Sequence, residues 1–553
     1  MSSISKEQRE TIEISVSKIA KKHKIVGVCL YGSKVAGYAR PESDFDVIIV
    51  LEDYAYILKY VYLKAAELEL SALVVDRNSL EKDAESSFLG EFVIGRLLHI
   101  YESLTNAELF RRLEVLYKKR VILEEIFDIV RSTNILSTEI TFPLEYIMFS
   151  KIRHRSILYP NALYSYYKIY TGNNSRHNID FALNGYQQAL KEILEEDNEL
   201  LILRSPDRLV QISEKRVNAR RSMKVTLKLT KKFQEFTSYV IHAYAGRHSF
   251  QYVVKEAEAK MARHKKYSID LPRFISTPRE CYWKLPEGLL IIDDKYWLDR
   301  IAKSKGFSRY VISNKFRLGK SSSVAYTFSD SDAASHKKTI VVKELAKSKT
   351  SMWDQLSTWS TSERPYKIDP LFRLSTEYKA LRYIRSLGLN SPIIESVVLG
   401  KKILVTEFVE GKHVSEIMED CLNWNTIGLG WIKVAGEQIG KIHADRSTLG
   451  DIKPSNLIVS KGTLYTTGVE QFGFRSGDPV WDIISFIGQG LKRTNNTVIA
   501  TQIIRHFLNG YSQEMTMEHI KKLTNAKYYF ELFYPLFTPA VAQTIKKEIS
   551  NFI

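Results

Sequence analysis

Apolar residues recur along this chain with two different periods. Residues 6–22 carry the three-to-four spacing of an amphipathic helix, and Ile25–Leu30 is a short apolar run of strand type. Two further strand runs, Asp46–Leu51 and Ala72–Val75, follow, with a helix expected between them. Together they predict a small α/β unit ending near residue 125. From about 126 to 290 the helical period dominates, and YQQALKEILEEDNELL leads into LILRSPDRLVQIS. A helix followed by two short strands around a turn has the layout of a winged helix. From about 291 to the end, short strands come first and helices take over. A polar, Ser/Thr-rich stretch after Ala346 reads as a loop between a strand and a helix. The expected fold class is therefore multidomain α/β and α+β, in three regions: 1–125, 126–290 and 291–553.

Composition narrows the class. The chain has 553 residues, of which 44% are hydrophobic and 26% charged. That is enough apolar material for three or four cores, and it excludes a disordered chain. Lys and Arg number 80 against 63 Asp and Glu, a formal net charge of +17. Such a surplus favours a polyanionic partner: RNA, DNA or an anionic membrane surface. A Lys-rich solvated surface is the alternative. The basic runs KIRHRS, EKRVNARRSMKVTLKLTKK and KMARHKKY lie in the middle region, interleaved with Tyr and Phe able to stack on bases. Polyanion binding is expected there, against solvated helix faces as the other reading. The three cysteines, Cys29, Cys281 and Cys421, are odd in number and form no Cys-x-x-Cys pair. A disulfide framework or zinc knuckle is not expected, and a reducing cytoplasm fits. The first residues lack an apolar core of signal type, and no apolar run reaches the roughly 20 residues a bilayer requires. A soluble, cytoplasmic protein with no membrane segment is expected.

The first cluster of candidate chemistry is CLYGSKVAGYARPESDFDVIIV. Gly32 and Ser33 follow an apolar strand and precede a helix start, where backbone N–H groups and the Ser33 hydroxyl can hold triphosphate oxygens. Asp44 and Asp46 lie two apart at the start of the next strand, so both carboxylates project from one face and can grip divalent metal. Asp76, ending the later strand ALVV, is expected as a third metal ligand or as the base for an incoming hydroxyl.

The second cluster is LGDIKPSNLIV. Asp451 is expected to orient and deprotonate an acceptor hydroxyl, Lys453 to neutralise the transferred phosphoryl group, and Asn456 to hold Mg²⁺. TIVVKEL puts Lys343 on a strand, where it can hold ATP phosphates, and STEYKALRYIRSLG puts Glu377 on a following helix within pairing reach. LVTEFVEG reads as a hinge, with Glu407 and Phe408 offering backbone groups to adenine. FRLGKSSSV places Gly319 and Ser322 over the phosphates. GDPVWDI puts Asp482 on a late helix, bracing the catalytic loop.

Two resemblances follow from these strings. Gly32-Ser33 followed by Asp44-x-Asp46 resembles the polymerase-beta-like nucleotidyltransferase superfamily over roughly residues 20–105. The segment from about 310 to 490 resembles the atypical archaeal-type kinases. GKSSSV is similar to the phosphate loop of RIO kinases. IGKIH with LGDIKPSN is similar to the small kinase of the KEOPS tRNA-modifying complex. VEQFGFRSGDPVWDI is similar to aminoglycoside phosphotransferase-like proteins. The resemblance implies a bilobal protein-kinase-like domain, ATP and Mg²⁺ as cofactors, and RNA as partner, with the archaeal kinases of a tRNA 2′-hydroxyl as the nearest group. One departure is plain. Where a second metal-binding Asp is expected, Gly468 stands, and Glu470 is the nearest carboxylate to take the metal. The readings kept open are a tRNA kinase, a protein Ser/Thr kinase, a nucleotidyltransferase with a regulatory pseudokinase, and an RNA-binding scaffold that senses ATP.

Overall fold

The computed structural model describes residues 4–65, 68–159, 162–204, 209–214, 270–292, 295–317, 323–330, 337–345, 367, 369–491, 494–515, 517–523, 528 and 539–552. Gly319, Ser322, KMARHKKY and the run from 215 onward lie outside the described residues, and with them most of the expected polyanion surface. By internal contacts the chain divides into two compact units. One joins Met1–Ser132 to Ile140–Lys284, and the other joins Thr133–Glu139 to Leu285–Ile553. The helices expected as a separate middle region are gathered into the first unit.

The first unit opens with α1 (Lys6–Ala20), whose N-terminus is closed by a capping box. Ser5 Oγ accepts from the Gln8 N–H, and Gln8 Oε1 accepts from the Ser5 N–H. A five-stranded sheet follows, in the order β3-β4-β2-β1-β5. Its strands are β1 (Ile25–Tyr31), β2 (Phe45–Leu51), β3 (Leu58–Ala65), β4 (Leu68–Asp76) and β5 (Glu102–Thr105). Between β1 and β2 sits the short helix α2 (Ser33–Ala36), and α3 (Arg77–Ser86) follows β4. The connection expected to be a helix between β2 and β4 is instead the strand β3. LKYVYLKA pairs antiparallel with β4, leaving β4 parallel to β2. The β-branched and aromatic residues of that segment suit a pleated surface better than a helix. One face of the sheet is covered by Ile12, Val16 and Ala20 of α1. The other face is buried too, which is why VGVCLY and VIIVL read as unbroken apolar runs.

Helices complete the unit: α4 (Ala107–Thr133), α5 (Leu144–Leu158), α6 (Leu163–Thr171) and α7 (Ser175–Glu196). β6 (Thr141–Phe142), β7 (Leu201–Arg204) and β8 (Leu209–Ile212) form a small sheet of order β6-β8-β7. A strand, helices and a hairpin whose second strand pairs back with the first is a winged-helix topology. The run KIRHRS, however, is not a basic surface at Lys151 and Arg155. Both are buried and serve an ion-pair core. Glu91 receives Lys151 at 2.8 Å, Arg120 at 3.0 Å and Arg155 at 3.4 Å. Glu124 shares Arg120 at 2.8 Å and Lys151 at 3.1 Å. Nearby, buried Asp83 accepts three backbone N–H bonds, from Leu89, Glu91 and Ile94. Burial nonetheless pushes its pKa up to about 6.

In the second unit a six-stranded sheet has the order β10-β11-β12-β14-β13-β9. Its strands are β9 (Leu289–Ile291), β10 (Tyr310–Arg317), β11 (Ser323–Asp330), β12 (Lys337–Glu344), β13 (Ile394–Val398) and β14 (Ile403–Glu407). All pairs are antiparallel except β13 with β9. The helix α8 (Pro370–Ser386) starts on the Asp369 cap, with Pro in its first turn. Thr133–Glu139 belongs to this unit by contacts: Ser375 Oγ donates to the Thr133 carbonyl at 3.2 Å, and Arg382 pairs with Glu139. The remaining portion is mainly helical: α9 (Leu429–Ala444), α10 (Pro479–Gly490) and α11 (Thr497–Glu514). α9 and α11 cross closely because Gly436 and Gly510 lack side chains. A Cβ at either would come within 2.2 or 2.0 Å of the facing backbone.

The Glu91 cluster sets a stability prediction. Glu91→Gln would leave three cations to share Glu124, and it is expected to cost about 3–5 kcal/mol, the range for removing one partner of a buried ion pair. Urea unfolding at neutral pH measures this. Burial works against the Glu91 carboxylate, but Lys151, Arg120 and Arg155 more than offset it and hold its pKa well below the usual carboxylate range. Its folded pKa thus lies below its unfolded value of 4.5. The Glu91 contribution is present above that value, and the gap between wild type and Glu91→Gln should close as pH falls below it.

Candidate functional site

In the first unit the sheet register decides which acidic residues meet. Asp46 pairs across β1 with Tyr31, the residue before Gly32. Gly32 has φ +79°, and a Cβ there would stand 2.0 Å from Asp46 Oδ2. Only glycine satisfies both the backbone turn and the close approach of that carboxylate. Ser33 opens α2 directly after this turn. Asp44 lies just before β2, and its Oδ2 accepts a hydrogen bond from the Ser71 hydroxyl. Gly32, Ser33, Asp44 and Asp46 therefore gather at one end of the sheet. The turn is fixed from behind by α7: Asn178 Nδ2 donates to the Ala36 carbonyl at 3.1 Å.

Asp76 does not join them. β2 and β4 are parallel, with Asp46 beside Ser71 and Leu51 beside Asp76. Five residues of strand separate Ser71 from Asp76, about 16 Å at the rise of a strand. Asp76 instead caps α3, accepting from Ser79 N at 3.1 Å and Tyr54 N at 3.1 Å. The expected third carboxylate is thus a helix cap, and Ser71 stands beside Asp46 where a third ligand would be sought. Glu69, two residues earlier on β4, pairs with Lys64 at 3.5 Å.

In the second unit Lys343, Glu377 and Glu470 come together. Lys343 Nζ on β12 meets Glu377 on α8 at 2.9 and 2.7 Å. Glu470 approaches Lys343 at 3.4 Å and is held by Arg373 at 2.8 Å. Arg373 precedes Glu377 by one helical turn, so the two face the same way. Arg373 was not singled out from the sequence, although its i, i+4 spacing to Glu377 was visible. Burial pushes the Lys343 ammonium down, but Glu377 and Glu470 more than offset this and its pKa ends raised. Burial raises Glu377, with Lys343 opposing. Burial also works against the Glu470 carboxylate, yet Lys343 and Arg373 hold its pKa below the usual range.

The Asp451 loop hangs from α10. Buried Asp482 accepts from Leu449 N at 2.6 Å and from Gly450 N at 2.8 Å, and His443 Nε2 lies 3.1 Å from its Oδ2. Gly450 has φ +84° and lies so close to Gln471 that a Cβ would meet its carbonyl oxygen at 2.2 Å. Lys453 Nζ donates to Asp451 Oδ2 at 2.8 Å. Asn456 Nδ2 donates to the Gly468 carbonyl at 3.1 Å, and a Cβ on Gly468 would stand 2.8 Å from that nitrogen. The Asn456 amide thus occupies room that a side chain at 468 would enter. Glu407, at the end of β14, already uses its N–H on the Ile393 carbonyl at 2.9 Å, and Phe408 follows outside the strand.

The two sites differ in how they fit a divalent ion. Asp44 and Asp46 form a two-carboxylate edge suited to hard cations shared with phosphates. In the second unit the Asn456 side-chain oxygen and the Glu470 carboxylate are the oxygen donors that could hold one, and Glu470 is paired with Arg373 and Lys343. Among the described residues no group of three His, Cys, Asp or Glu is placed to hold a metal ion. Among them, too, no helix is long and apolar enough to cross a membrane.

Comparison with known proteins finds a nucleotidyltransferase family model and kinase-type relatives. Residues 15–103 match the family model described as polymerase beta, nucleotidyltransferase. The KEOPS complex subunit Bud32 of Pyrococcus abyssi is 30% identical over 136 residues, 25% of this chain and 52% of that protein. A probable bifunctional tRNA threonylcarbamoyladenosine biosynthesis protein of Methanosphaera stadtmanae is 23% identical over 172 residues, 29% of this chain and 30% of that protein. The chain therefore spans about half the length of the first relative and under a third of the second. A solved amicoumacin kinase, in complex with AMP-PNP, Ca²⁺ and its ligand, aligns at 11% identity and a TM-score of 0.27. It covers 47% of this chain and 93% of that one, a likeness too loose to carry an argument. The chain carries a nucleotidyltransferase domain at its N-terminus and has kinase homologues of the Bud32 type at low identity.

Asp482→Asn replaces one of two carboxylate acceptors by a donor facing backbone N–H groups. It is expected to destabilise the second unit by about 2–3 kcal/mol, the cost of unpairing buried charge-assisted bonds. Thermal unfolding measures the loss.

Proposed function

We propose that the chain is an ATP-dependent phosphotransferase acting on RNA, with tRNA as substrate, and that the second unit carries the chemistry. The observation that carries this is the formed Lys343–Glu377 pair together with the loop that bears the Lys453–Asp451 pair and whose Leu449 and Gly450 N–H groups are held by Asp482. A lysine so placed anchors ATP phosphates, and the carboxylate beside it keeps its ammonium in position. Asp451 takes the proton from a ribose hydroxyl. That oxygen bonds to the γ-phosphorus, the bond from phosphorus to the β,γ-bridging oxygen breaks, and ADP leaves. Lys453 offsets the charge on the phosphoryl oxygens in transit. Mg²⁺, held by Asn456 with Glu470, would supply further charge neutralisation at the phosphates. The formal charge of +17 and the tRNA-biosynthesis names of the relatives support RNA over protein as acceptor.

A second reading has its own observations. Gly468 replaces a metal carboxylate, and Glu470 is tied to Arg373. These favour an N-terminal unit that transfers nucleotides, using Asp44 and Asp46, with the second unit regulatory.

Isotope placement separates the two. With Mg²⁺, tRNA and γ-labelled ATP, Asp451→Asn is expected to lower labelling at least about a hundredfold, the scale of a general base. The double variant Asp44→Asn, Asp46→Asn should leave that labelling intact. Label entering only from the α-phosphate, and lost in the double variant, would transfer the function to the first unit.

A further inference from the structure

The helix that carries Glu377 is gripped from behind. On α8, Arg373 and Glu377 lie four residues apart and share the face turned to Lys343 and Glu470. Ser375, Tyr378 and Arg382 follow a three-then-four spacing on the opposite face. That face meets the 3-10 turn Asn134–Thr138, part of the stretch Thr133–Glu139 that joins the second unit by its contacts. Asn134 has φ +55°, a left-handed conformation that Asn adopts more readily than most residues, and there the chain leaves α4. Thr133, Leu136, Ser137 and Glu139 are buried in this strap, as are Ser375 and Tyr378 of the helix it covers.

Two carboxylates hold two arginines on the covered side. Arg382 pairs with Glu139. Glu287 lies 3.8 Å from Arg382 and pairs with Arg385, and its other oxygen accepts from the Ile394 N–H at 2.7 Å. The Tyr378 hydroxyl donates to the Glu287 carbonyl at 2.8 Å. Ser375 shares its hydroxyl proton between the Thr133 carbonyl at 3.2 Å and the Leu371 carbonyl at 2.7 Å, so the Arg382–Glu139 pair is the stronger tie to the strap. Glu287 is already occupied, which makes Glu139 the main counter-ion of Arg382. A rotation of α8 about its axis would break this pair on one side and the Lys343–Glu377 pair on the other, so holding the first holds the second.

We propose that Glu139 is a positioning residue for phosphoryl transfer: through Arg382 it fixes the rotation of α8 at which Glu377 reaches Lys343. This rests on the reading of the second unit as the phosphotransferase. In sequence the strap lies between two stretches of the first unit, so the phosphoryl-transfer unit is not built from residues 285–553 alone.

Two readouts on the full chain test it. The first needs no activity: the rate at which an amine-reactive ester acylates Lys343 without nucleotide, followed by peptide mass spectrometry. Glu377 favours the charged ammonium, so a loosened pair presents more neutral amine. Glu139→Gln is expected to raise this rate several-fold, toward that of Glu377→Gln. The second readout is γ-phosphate transfer from ATP to tRNA with Mg²⁺. Glu139→Gln should lower kcat about 3–30-fold, the range of a coupling carried between packed residues. In a Glu377→Gln background the same change should alter kcat by no more than about twofold, because the residue it acts through has lost its charge. Glu139→Asp keeps the charge and should restore most of both readouts. Equal losses of kcat in the two backgrounds, or Lys343 reactivity unchanged by Glu139→Gln, would make Glu139 a stability residue and overturn the proposal. Faster acylation with unchanged kcat would overturn it as well. A parent chain that transfers no γ-phosphate, while its Lys343 still responds to Glu139→Gln, would instead strike the phosphotransferase reading and leave the grip on α8 standing.

Discussion

Four charges in alternation, Arg373–Glu470–Lys343–Glu377, hold the second unit in the form that makes it a phosphoryl-transfer candidate. They tie β12, α8 and the segment after the strand Thr463–Thr466 to one another. Two cations meet two carboxylates, so the cluster is neutral and can be buried. Loss of any one member would leave an uncompensated charge in a place where that is expensive. The same arrangement explains why Glu470 is an equivocal metal ligand. Its Oε2 is already shared by Arg373 and Lys343, and a divalent ion at that oxygen would compete with both.

The first unit buries a cluster that is not neutral: Arg120, Lys151 and Arg155, three cations, gather on the two carboxylates Glu91 and Glu124. One consequence is that KIRHRS contributes two of its cations to the interior and not to a polyanion surface.

Motifs whose chemistry depends on local spacing were legible in the sequence. Gly32-Ser33, Asp44-x-Asp46 and the Asp451, Lys453, Asn456 series are each local in sequence; Asp46 closes on Gly32, and Lys453 on Asp451. What depended on register was not legible. Asp76 ends a strand, but only the parallel alignment of β4 with β2 reveals that it ends at the far edge. Leu58–Ala65 alternates weakly enough to pass for a helix until its pairing with β4 is known. The clamp on Glu470 and the burial of Lys151 and Arg155 arise between residues distant in sequence, and no local pattern encodes them. Arg373 was hidden for a different reason: a lone Arg one turn before Glu377 looks like any solvated helix charge.

The most direct test is the mass gained by tRNA after incubation with the full chain, ATP and Mg²⁺, read by mass spectrometry of the intact RNA and of its digested nucleosides. The account predicts a gain of one phosphoryl group on a ribose. A gain of a whole nucleotide, or an unchanged RNA with ATP bound, would contradict it.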